Sequence, residues 1–228
     1  MNATKYNIVF IPYRNRLTHL NYFLENLKPI LLKYIKNLKI VIIEQDNTKE
    51  FNRGKLFNCG FKLYEDSCNY IFHHDVDLIP NINTVKNLYT IENDEIIRIS
   101  VAHSASLGGS IKMNSNIFKK INGYPNDIFG WGIEDRALYL KSEKLGIKKS
   151  KVYNLTKESV NITRLKHKAN DCKYEDCKEI QNNYWKYENL INIPYDEIFK
   201  KNGLNDCNFE LIKKIQIDSI VEKVIIKL

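Results

Sequence analysis

The sequence has no apolar run approaching the roughly 20 residues that a bilayer-spanning helix needs. Its first residues, Met-Asn-Ala-Thr-Lys-Tyr, also lack the apolar core of a signal peptide. We therefore expect a cytoplasmic protein with no integral membrane segment, and peripheral membrane association stays open. Internal repeats and low-complexity linkers are absent as well, so the 228 residues suit a single domain with a C-terminal extension.

Cysteine is scarce, and its five copies, an odd number, cannot all pair within one chain. Cys172 and Cys177 have four residues between them, which is too wide for the Cys-x-x-Cys spacing of a zinc ribbon. Cys59 lies in an apolar segment, which predicts a buried free thiol. We expect a reducing compartment, and a disulfide between Cys172 and Cys177 is the open alternative.

Positive charge exceeds negative charge, but it is dispersed. A net charge of +8 is compatible with nucleic-acid binding, and it also suits a pocket for an anionic small ligand. The lysines are scattered along the chain instead of forming one dense basic run, which favours a solvated surface over a polyanion groove. Nucleic-acid binding is therefore the weakest hypothesis, and we expect no nucleic-acid partner.

Hydrophobic periodicity predicts alternating strands and helices. Apolar runs at 8–12, 39–44 and 70–72 indicate buried strands, and helical spacing of apolar residues covers 17–35 and 52–64. This β-α-β-α-β order implies an α/β fold whose sheet is parallel, with right-handed crossovers. The rest of the sequence predicts a strand at 95–101, helices at 115–122 and 134–144, and a terminal antiparallel hairpin from 209–211 and 221–228; residues 184–199 have no assignment.

Two carboxylates follow the third predicted strand. Asp75 and Asp77, one residue apart, fall where this strand leaves the sheet. Ligands of open α/β sheets gather outside the carboxyl ends of the strands. Two acids at such a place suit a hard divalent cation and a diphosphate. The plainer interpretation is a strand-end turn, in which Asp is common.

Six short motifs in order are more specific than any one of them. They are Phe-Ile-Pro-Tyr-Arg-Asn-Arg at 10–16, Phe-Asn-Arg-Gly-Lys-Leu-Phe-Asn-Cys-Gly-Phe at 51–61, Asp-Val-Asp-Leu-Ile-Pro at 75–80, Gly-Gly at 108–109, Ile-Asn-Gly-Tyr-Pro-Asn at 121–126 and Gly-Trp-Gly-Ile-Glu-Asp at 130–135. Over residues 6–168, with a weaker match at 203–205, the chain resembles the β-1,4-galactosyltransferase family, glycosyltransferase family 7.

The resemblance implies a GT-A nucleotide-sugar-binding fold with a mostly parallel central sheet, and an inverting, manganese-dependent transferase. It divides the single domain 1–228 into a donor-nucleotide half at about 1–105, an acceptor and catalytic half at about 106–170, and a C-terminal extension at about 171–228. Unlike Golgi members of the family, the chain shows no membrane anchor, which makes a bacterial or viral setting our expectation.

By resemblance, the donor is UDP-Gal or UDP-GalNAc and the metal is Mn²⁺, with Asp77 and His167 as its ligands. A carboxylate and an imidazole suit manganese better than magnesium. The plainer interpretation of His167 is a solvated loop histidine, and Arg164 stands where the family has a methionine ligand. The residues implied to contact the nucleotide-sugar are Pro12, Tyr13, Arg14, Arg16, Phe51, Arg53, Asp75, Val76 and Gly109, with Tyr13 stacking on uracil.

The acceptor hydroxyl must lose a proton as it attacks the anomeric carbon, so a positioned carboxylate is required. By resemblance, Asp135 is this base, Glu134 orients the acceptor, and Trp131 belongs to a mobile lid that excludes water. A structural interpretation makes both acids first-turn helix residues. Ile133 replaces a glycine of the family. Ser106 stands where galactose-specific members have tyrosine, which keeps GalNAc open as the donor sugar.

The leading hypothesis is thus an inverting glycosyltransferase that moves galactose or N-acetylgalactosamine from UDP to a sugar hydroxyl. Its partners are the nucleotide-sugar donor and a glycan acceptor, for which a GlcNAc-terminated glycan is the candidate. The alternative is a carbohydrate-binding or nucleotide-sugar-binding module without activity, which the replacement of the methionine ligand by Arg164 favours.

Overall fold

The computed structural model describes residues 4–46, 48–101, 103–150, 161–166, 178–194, 197 and 199–228. Short 3₁₀ turns lie at Glu65–Ser67 and Leu204–Asp206, and a π-helical turn at Val85–Tyr89 follows α4. The other elements are β1 (Tyr6–Tyr13), α1 (Leu17–Asn26), α2 (Lys28–Tyr34), β2 (Leu38–Gln45), α3 (Arg53–Tyr64), β3 (Cys68–His74), β4 (Leu78–Pro80), α4 (Ile82–Thr84), β5 (Ile97–Ser100), β6 (Ser110–Asn114), α5 (Ser115–Ile121), α6 (Glu134–Lys144), β7 (Ile162–Arg164), α7 (Lys178–Asn192), β8 (Glu210–Gln216) and β9 (Val221–Lys227).

The central sheet has seven strands in the order β5-β6-β3-β1-β2-β9-β8. The pairs β3–β1, β1–β2 and β2–β9 are parallel, while the strands at both edges pair antiparallel. The predicted β-α-β-α-β order and the mostly parallel sheet are therefore confirmed. A small second sheet pairs β4 with β7, and no sequence pattern predicted it.

Strand β1 shows why the chain folds into layers. Ile8 and Phe10 pack towards α3 and α5 in one apolar cluster, and Val9 and Ile11 pack towards α1 and α2 in another. A strand covered on both faces must be apolar at every position, which is why it appears as a continuous run in the sequence. The sheet is thus enclosed between two helical layers.

The predicted helix over 17–35 is two helices, and this expectation was wrong. Helix α1 ends at Asn26, and Pro29 lies in the first turn of α2. Proline has no backbone N–H to continue a helical ladder, but it fits a first turn, where that N–H has no partner anyway. The apolar periodicity continues across the break because both helices cover the same face of the sheet.

The C-terminal hairpin of β8 and β9 is confirmed, but its role is larger than predicted. Strand β9 pairs parallel with β2 along six residues, so the C-terminal extension completes the central sheet. Residues 184–199, which had no assignment, contain most of α7. The division of the chain into halves and an extension stays a prediction.

Cys59 is a buried free thiol, as predicted. Cys172 and Cys177 lie outside the described residues. Within the described part of the chain, no helix combines the length and the apolarity needed to cross a bilayer. The cytoplasmic location stays a prediction.

Candidate active site

The two carboxylates after β3 lie at the carboxyl edge of the parallel strands. The backbone N–H of Asp75 donates to the carbonyl of Gly109 (3.0 Å), and the N–H of Leu78 donates back to the carbonyl of Asp75 (3.2 Å). A tight turn therefore carries Asp75, Val76 and Asp77, and the Gly-Gly motif lies directly against it. Val76 is buried, at 5% exposure, and anchors this turn in the core.

Arg53 joins this turn to the other half of the site. Its Nε lies 2.7 Å from Oδ1 of Asp75, and its Nη1 lies 3.5 Å from Oε1 of Glu134. Its Nη2 lies 3.5 Å from the carbonyl of Gly109. The residue is the first of α3, whose N-terminus is fixed because the Asn52 side chain accepts from the N–H of Lys55. The guanidinium also lies over the ring of Phe57, 4.9 Å from its centroid.

The electrostatics of Asp75 follow from this arrangement. Burial raises the pKa of its carboxyl, and nearby Asp77 raises it further, whereas the charge and hydrogen bond of Arg53 lower it. Arg164 also lowers the pKa of Asp75 through its charge. Burial has the largest effect, so the carboxylate of Asp75 depends on the cations around it to stay ionised.

Asp77 is 6% exposed, and its carbonyl accepts from the N–H of Leu165 (2.8 Å). Pairing of β7 with β4 sets Arg164 opposite Leu78, one residue beyond Asp77. Two carboxylate oxygen donors fit a hard divalent cation, although the described residues contain no cluster of three acidic, histidine or cysteine ligands. His167, the second predicted ligand, lies outside the described residues.

His74 contacts the backbone of the turn that carries Asp75 and Asp77, which we call the acidic turn. No sequence pattern indicated this role of His74. Its Nδ1 lies 2.8 Å from the carbonyl of Asp75, and its Nε2 lies 2.7 Å from the hydroxyl of Tyr89. Burial lowers the pKa of His74 to about 4, so the ring is neutral at physiological pH. Because a carbonyl only accepts, Nδ1 carries the proton and Nε2 accepts from Tyr89. This role depends on the burial of His74 and its contact with Tyr89.

The predicted nucleotide loop follows β1, and its residues differ in exposure. Pro12 and Tyr13 are buried, with Tyr13 at 6% exposure and its pKa raised by burial. The guanidinium of Arg14 lies over the ring of Phe51, 5.2 Å from its centroid, and donates to the carbonyl of Lys49 (2.7 Å). Of the predicted donor contacts in this loop, only Arg14 and Arg16 are accessible; both are half-buried, and Arg14 pairs with Phe51 from the loop before α3.

The predicted lid precedes α6. Trp131 is 58% exposed, and the N–H of Gly130 donates to the carbonyl of Phe51 (2.8 Å), which links the lid to the nucleotide loops. Gly130, Gly132 and Ile133 have φ values of 76°, 92° and 79°. A β-branched residue with a positive φ is rare, so Ile133 adopts a left-handed backbone conformation that favours glycine.

Helix α7 holds this lid, which no sequence pattern indicated. Asn183 is 2% exposed, and its Nδ2 donates to the carbonyls of Phe129 (2.9 Å) and Trp131 (3.3 Å). An amide side chain reaching two carbonyls of one loop satisfies both of its N–H donors. Helix α7 therefore holds the lid backbone at Phe129 and Trp131 in the described conformation.

Glu134 and Asp135 open helix α6. Burial raises the pKa of Glu134 to about 7, and the adjacent Asp135 raises it as well, while Arg53 lowers it. The carboxylate of Asp135 accepts at Oδ2 from the hydroxyl of Ser106 (2.5 Å) and at Oδ1 from the N–H of Arg136 (2.8 Å). Two adjacent acids thus occupy different environments, a common arrangement for acid–base chemistry.

The structure brings most predicted residues together. Arg53 links Asp75, Gly109 and Glu134, and Asp135 follows directly on α6. Asp77 lies on the same turn as Asp75. The lid is linked through Gly130 to Phe51, and the guanidinium of Arg14 lies over the Phe51 ring.

Two family models match the chain. One, described as the N-terminal region of glycosyl transferase group 7, matches residues 2–92. The other, described as the N-terminal domain of galactosyltransferase, matches residues 97–173.

Curated relatives agree with the family models. The chain is 31% identical over 215 residues to β-1,4-galactosyltransferase 4 of Cricetulus griseus, a match that covers 90% of this chain and 58% of that protein. It is 35% identical over 149 residues to a β-N-acetyl-D-glucosaminide β-1,4-N-acetylglucosaminyl-transferase of Lymnaea stagnalis, covering 58% of this chain and 30% of that protein. The match therefore spans little more than half the length of the first of these relatives.

Solved structures share the fold. The catalytic domain of Drosophila β1,4-galactosyltransferase 7 in complex with xylobiose aligns with a TM-score of 0.72 and 21% identity, covering 99% of this chain and 94% of that one. A mutant of the same protein in complex with manganese, UDP-Gal and xylobiose aligns with a TM-score of 0.75 and 22% identity over the same shares. The GT-A fold predicted from the sequence is thereby confirmed.

Proposed function

The chain belongs to the glycosyltransferase group 7 family, that of the β-1,4-galactosyltransferases, and on this premise we propose that it transfers galactose or N-acetylgalactosamine from a UDP-sugar to a sugar hydroxyl with inversion. One observation carries the proposal. A single guanidinium, that of Arg53, contacts both Asp75 of the turn after β3 and Glu134 at the start of α6. The acids proposed for the donor and for the acceptor thus meet at one place.

On the donor side, the proposed metal ligands are Asp77 and His167, and a bound divalent cation would neutralise charge on the leaving diphosphate. Asp75 and Val76 lie on the turn after β3, and Gly109 lies against this turn; the ribose and the sugar would lie against these residues. Arg14 and Arg16 are the accessible cations of the loop after β1, and guanidinium groups bind phosphate oxygens in pairs. Pro12, Tyr13 and Phe51 are the remaining proposed donor contacts; Pro12 and Tyr13 are buried, and the stacking of Tyr13 on uracil stays a proposal.

On the acceptor side, Asp135 is the proposed base. The acceptor O–H bond breaks as its oxygen attacks the anomeric carbon, the proton passes to the Asp135 carboxylate, and the bond from that carbon to the diphosphate breaks with its electron pair. Glu134 would orient the acceptor, and closure of Trp131 over the donor would exclude water as a competing nucleophile. A single base without a covalent intermediate gives inversion.

The donor sugar is the least constrained part of the proposal. Relatives of this chain are named for galactose transfer and, in Lymnaea stagnalis, for N-acetylglucosamine transfer. The chemistry shared by these donors is a UDP-hexose, so the test includes UDP-Gal, UDP-GalNAc and UDP-GlcNAc. GlcNAc-terminated glycans are the first acceptors to try.

The purified protein is incubated with each donor, Mn²⁺ and a GlcNAc-terminated acceptor, and the product is detected by mass spectrometry. We expect transfer by the wild type, and in the variant Asp135→Asn a loss of about 100-fold or more, the usual contribution of a general base. Asp66→Asn, an exposed acid in the 3₁₀ turn after α3, is the matched control and retains activity. No transfer with any donor would contradict the proposal.

A second candidate is a binding module that holds a nucleotide-sugar without transferring it. The observation that favours it is Arg164, whose strand is paired beside the acidic turn and whose charge acts on Asp75. Binding of UDP together with an absence of transfer in the same assay would support this candidate over the enzyme.

A further inference from the structure

The turn 106–108 contacts Asp135 at both its side chain and its backbone. The hydroxyl of Ser106 lies 2.5 Å from Oδ2 of Asp135, and the N–H of Leu107 donates to the Asp135 carbonyl (3.2 Å). Gly108 leaves the space that the carboxylate fills, because a Cβ there would lie 2.5 Å from Oδ2. These three residues form a cradle around Asp135, which we call the 106–108 cradle.

The direction of the hydrogen bond from Ser106 follows from its neighbours. The N–H of Gly108 donates to Oγ of Ser106 (3.1 Å), which occupies a lone pair of that oxygen. Its own proton is then available to Asp135, whose ionised carboxylate can only accept. The hydroxyl is thus held by one bond and donates through another, an arrangement that fixes its rotamer.

Burial makes this contact stronger than a surface hydrogen bond. Ser106 has no exposed surface, so water does not compete for its hydroxyl. Hydrogen bonds to an ionised acceptor are shorter and stronger than neutral ones, and a low local dielectric strengthens them further. The other oxygen of Asp135, Oδ1, accepts from the N–H of Arg136 (2.8 Å), which leaves lone pairs of both oxygens for another partner.

We propose that Ser106 is a positioning residue for Asp135, and this inference rests on the proposed function. Its hydroxyl holds Oδ2 so that the carboxylate presents its remaining lone pairs in a fixed direction to the acceptor hydroxyl. Ser106 keeps its own proton throughout: the acceptor proton goes to Asp135, and the electron pair of the broken bond leaves with UDP. A displacement of about 1 Å between reacting groups can cost about 100-fold in rate.

This role differs from the one that the sequence suggested for Ser106. There, Ser106 stood in place of the tyrosine of galactose-specific members, which kept GalNAc open as the donor sugar. In the structure its hydroxyl is engaged with Asp135 and its side chain is buried. Removing the hydroxyl should therefore change the chemical step more than the affinity for the donor.

The test compares Ser106→Ala, Ser106→Cys and Ser106→Thr by steady-state kinetics with the full chain. Ala removes the hydroxyl, Cys keeps a similar size but is a weak donor, and Thr keeps the hydroxyl. We expect kcat to fall about 10- to 100-fold in Ala and Cys while the KM for the UDP-sugar changes less than about twofold. Thr should restore kcat to within about threefold of wild type, measured per folded molecule.

Ser142→Ala is the matched control, since Ser142 is a buried serine of the same helix as Asp135 whose hydroxyl donates to the Tyr139 carbonyl. It should lose stability comparable to Ser106→Ala and keep its kcat. Equal kcat values for wild type and Ser106→Ala would overturn the role of Ser106 alone. The role is also overturned if Ser106→Ala raises the donor KM with kcat unchanged. A wild-type chain that transfers no sugar would overturn the proposed function itself, and the positioning role with it.

Discussion

Nε of Arg53 lies 2.7 Å from Oδ1 of Asp75, and this ion pair connects the first residue of α3 to the acidic turn after β3. The same guanidinium reaches Glu134 at 3.5 Å on the opposite side. The pair is partly buried, with side-chain exposures of 13% for Arg53 and 27% for Asp75. Arg53 is therefore a structural link between two groups of acids as well as a proposed donor contact.

The variant Arg53→Lys tests whether the geometry of the Arg53 guanidinium matters in addition to its positive charge. Lysine keeps the charge but is a point donor that cannot reach Asp75, Gly109 and Glu134 together. We expect Arg53→Lys to lower the transfer rate at least about tenfold while the fold is retained. The matched control is Arg98→Lys in β5, where Arg98 donates to the carbonyls of Ser150 and Ser104. Equal activity of Arg53→Lys and wild type would show that the simultaneous contacts of the guanidinium with Asp75, Gly109 and Glu134 are not needed for transfer.

Glu134 should make stability depend on pH. Its pKa is raised in the folded state, from 4.5 to about 7, so the folded protein binds more protons than the unfolded chain between these values. The stabilisation from protonated Glu134 is therefore complete below pH 4.5 and is lost as the pH rises through about 7.

The variant Glu134→Gln should remove this dependence, because an amide does not titrate. Between about pH 5 and about pH 8, the wild type should lose on the order of 2 kcal/mol more unfolding free energy than the variant. Urea denaturation of both proteins at the two pH values measures the difference. Titrating groups that do not interact with Glu134 are present in both proteins, so their contribution cancels, whereas Asp135 and Asp75, which raise the pKa of Glu134, are part of the measured difference. Parallel pH profiles would contradict a raised pKa.

The affinity for UDP should depend on Asp77 and on a divalent cation together. Calorimetry with Mn²⁺ should show UDP binding that weakens at least about tenfold in EDTA, because the diphosphate loses its counter-charge. In Asp77→Ala the affinity should be low and should no longer respond to Mn²⁺. Asp66→Ala, an exposed acid that precedes β3 and so lies at the opposite end of this strand from Asp77, should behave as wild type. Equal UDP affinity of wild type and Asp77→Ala, each measured with Mn²⁺ and in EDTA, would show that Asp77 does not contribute to the donor site.

The packing of α3 on the sheet should tolerate no side chain at Gly60. A Cβ at this position would lie 2.3 Å from Cδ1 of Ile43 and 3.0 Å from Cδ1 of Phe10. We expect Gly60→Ala to lower the free energy of unfolding by about 1–3 kcal/mol, the usual cost of overpacking. Ile43→Val removes the clashing methyl, so the double variant should be less destabilised than the sum of the single variants. Simple additivity would show that the helix shifts instead.

The sequence was sufficient for the central strands and for the acidic motifs. Strands β1, β2 and β3 are continuous apolar runs because both faces of the sheet are covered, so local pattern and burial agree. Asp75 and Asp77 were candidates because they follow a strand whose end could be predicted, whereas the roles proposed for Glu134 and Asp135 came from the resemblance to the family. At these positions, the local sequence pattern predicts the same burial and the same element ends that the tertiary structure has.

The elements that were missed depend on contacts distant in sequence. Strand β6 contains Lys112, which is 2% exposed and donates to the carbonyl of Tyr89 (2.8 Å), so a buried lysine interrupts the apolar pattern. The anchoring role of His74 depends on Tyr89, fifteen residues later. The contact of Ser106 with Asp135 joins residues 29 apart. The periodicity of apolar residues within one helix or strand does not predict contacts between residues so far apart in sequence.

The central claim, that this site transfers a sugar from a UDP-sugar with inversion, is tested most directly by the configuration of the product. A UDP-α-hexose with Mn²⁺ and a GlcNAc-terminated acceptor is converted by the wild type, and the anomeric proton of the product is read by NMR. The account predicts a new β-linked sugar that is formed by the wild type and not by Asp135→Asn. A product with retained α configuration, or none with any UDP-hexose, would contradict it.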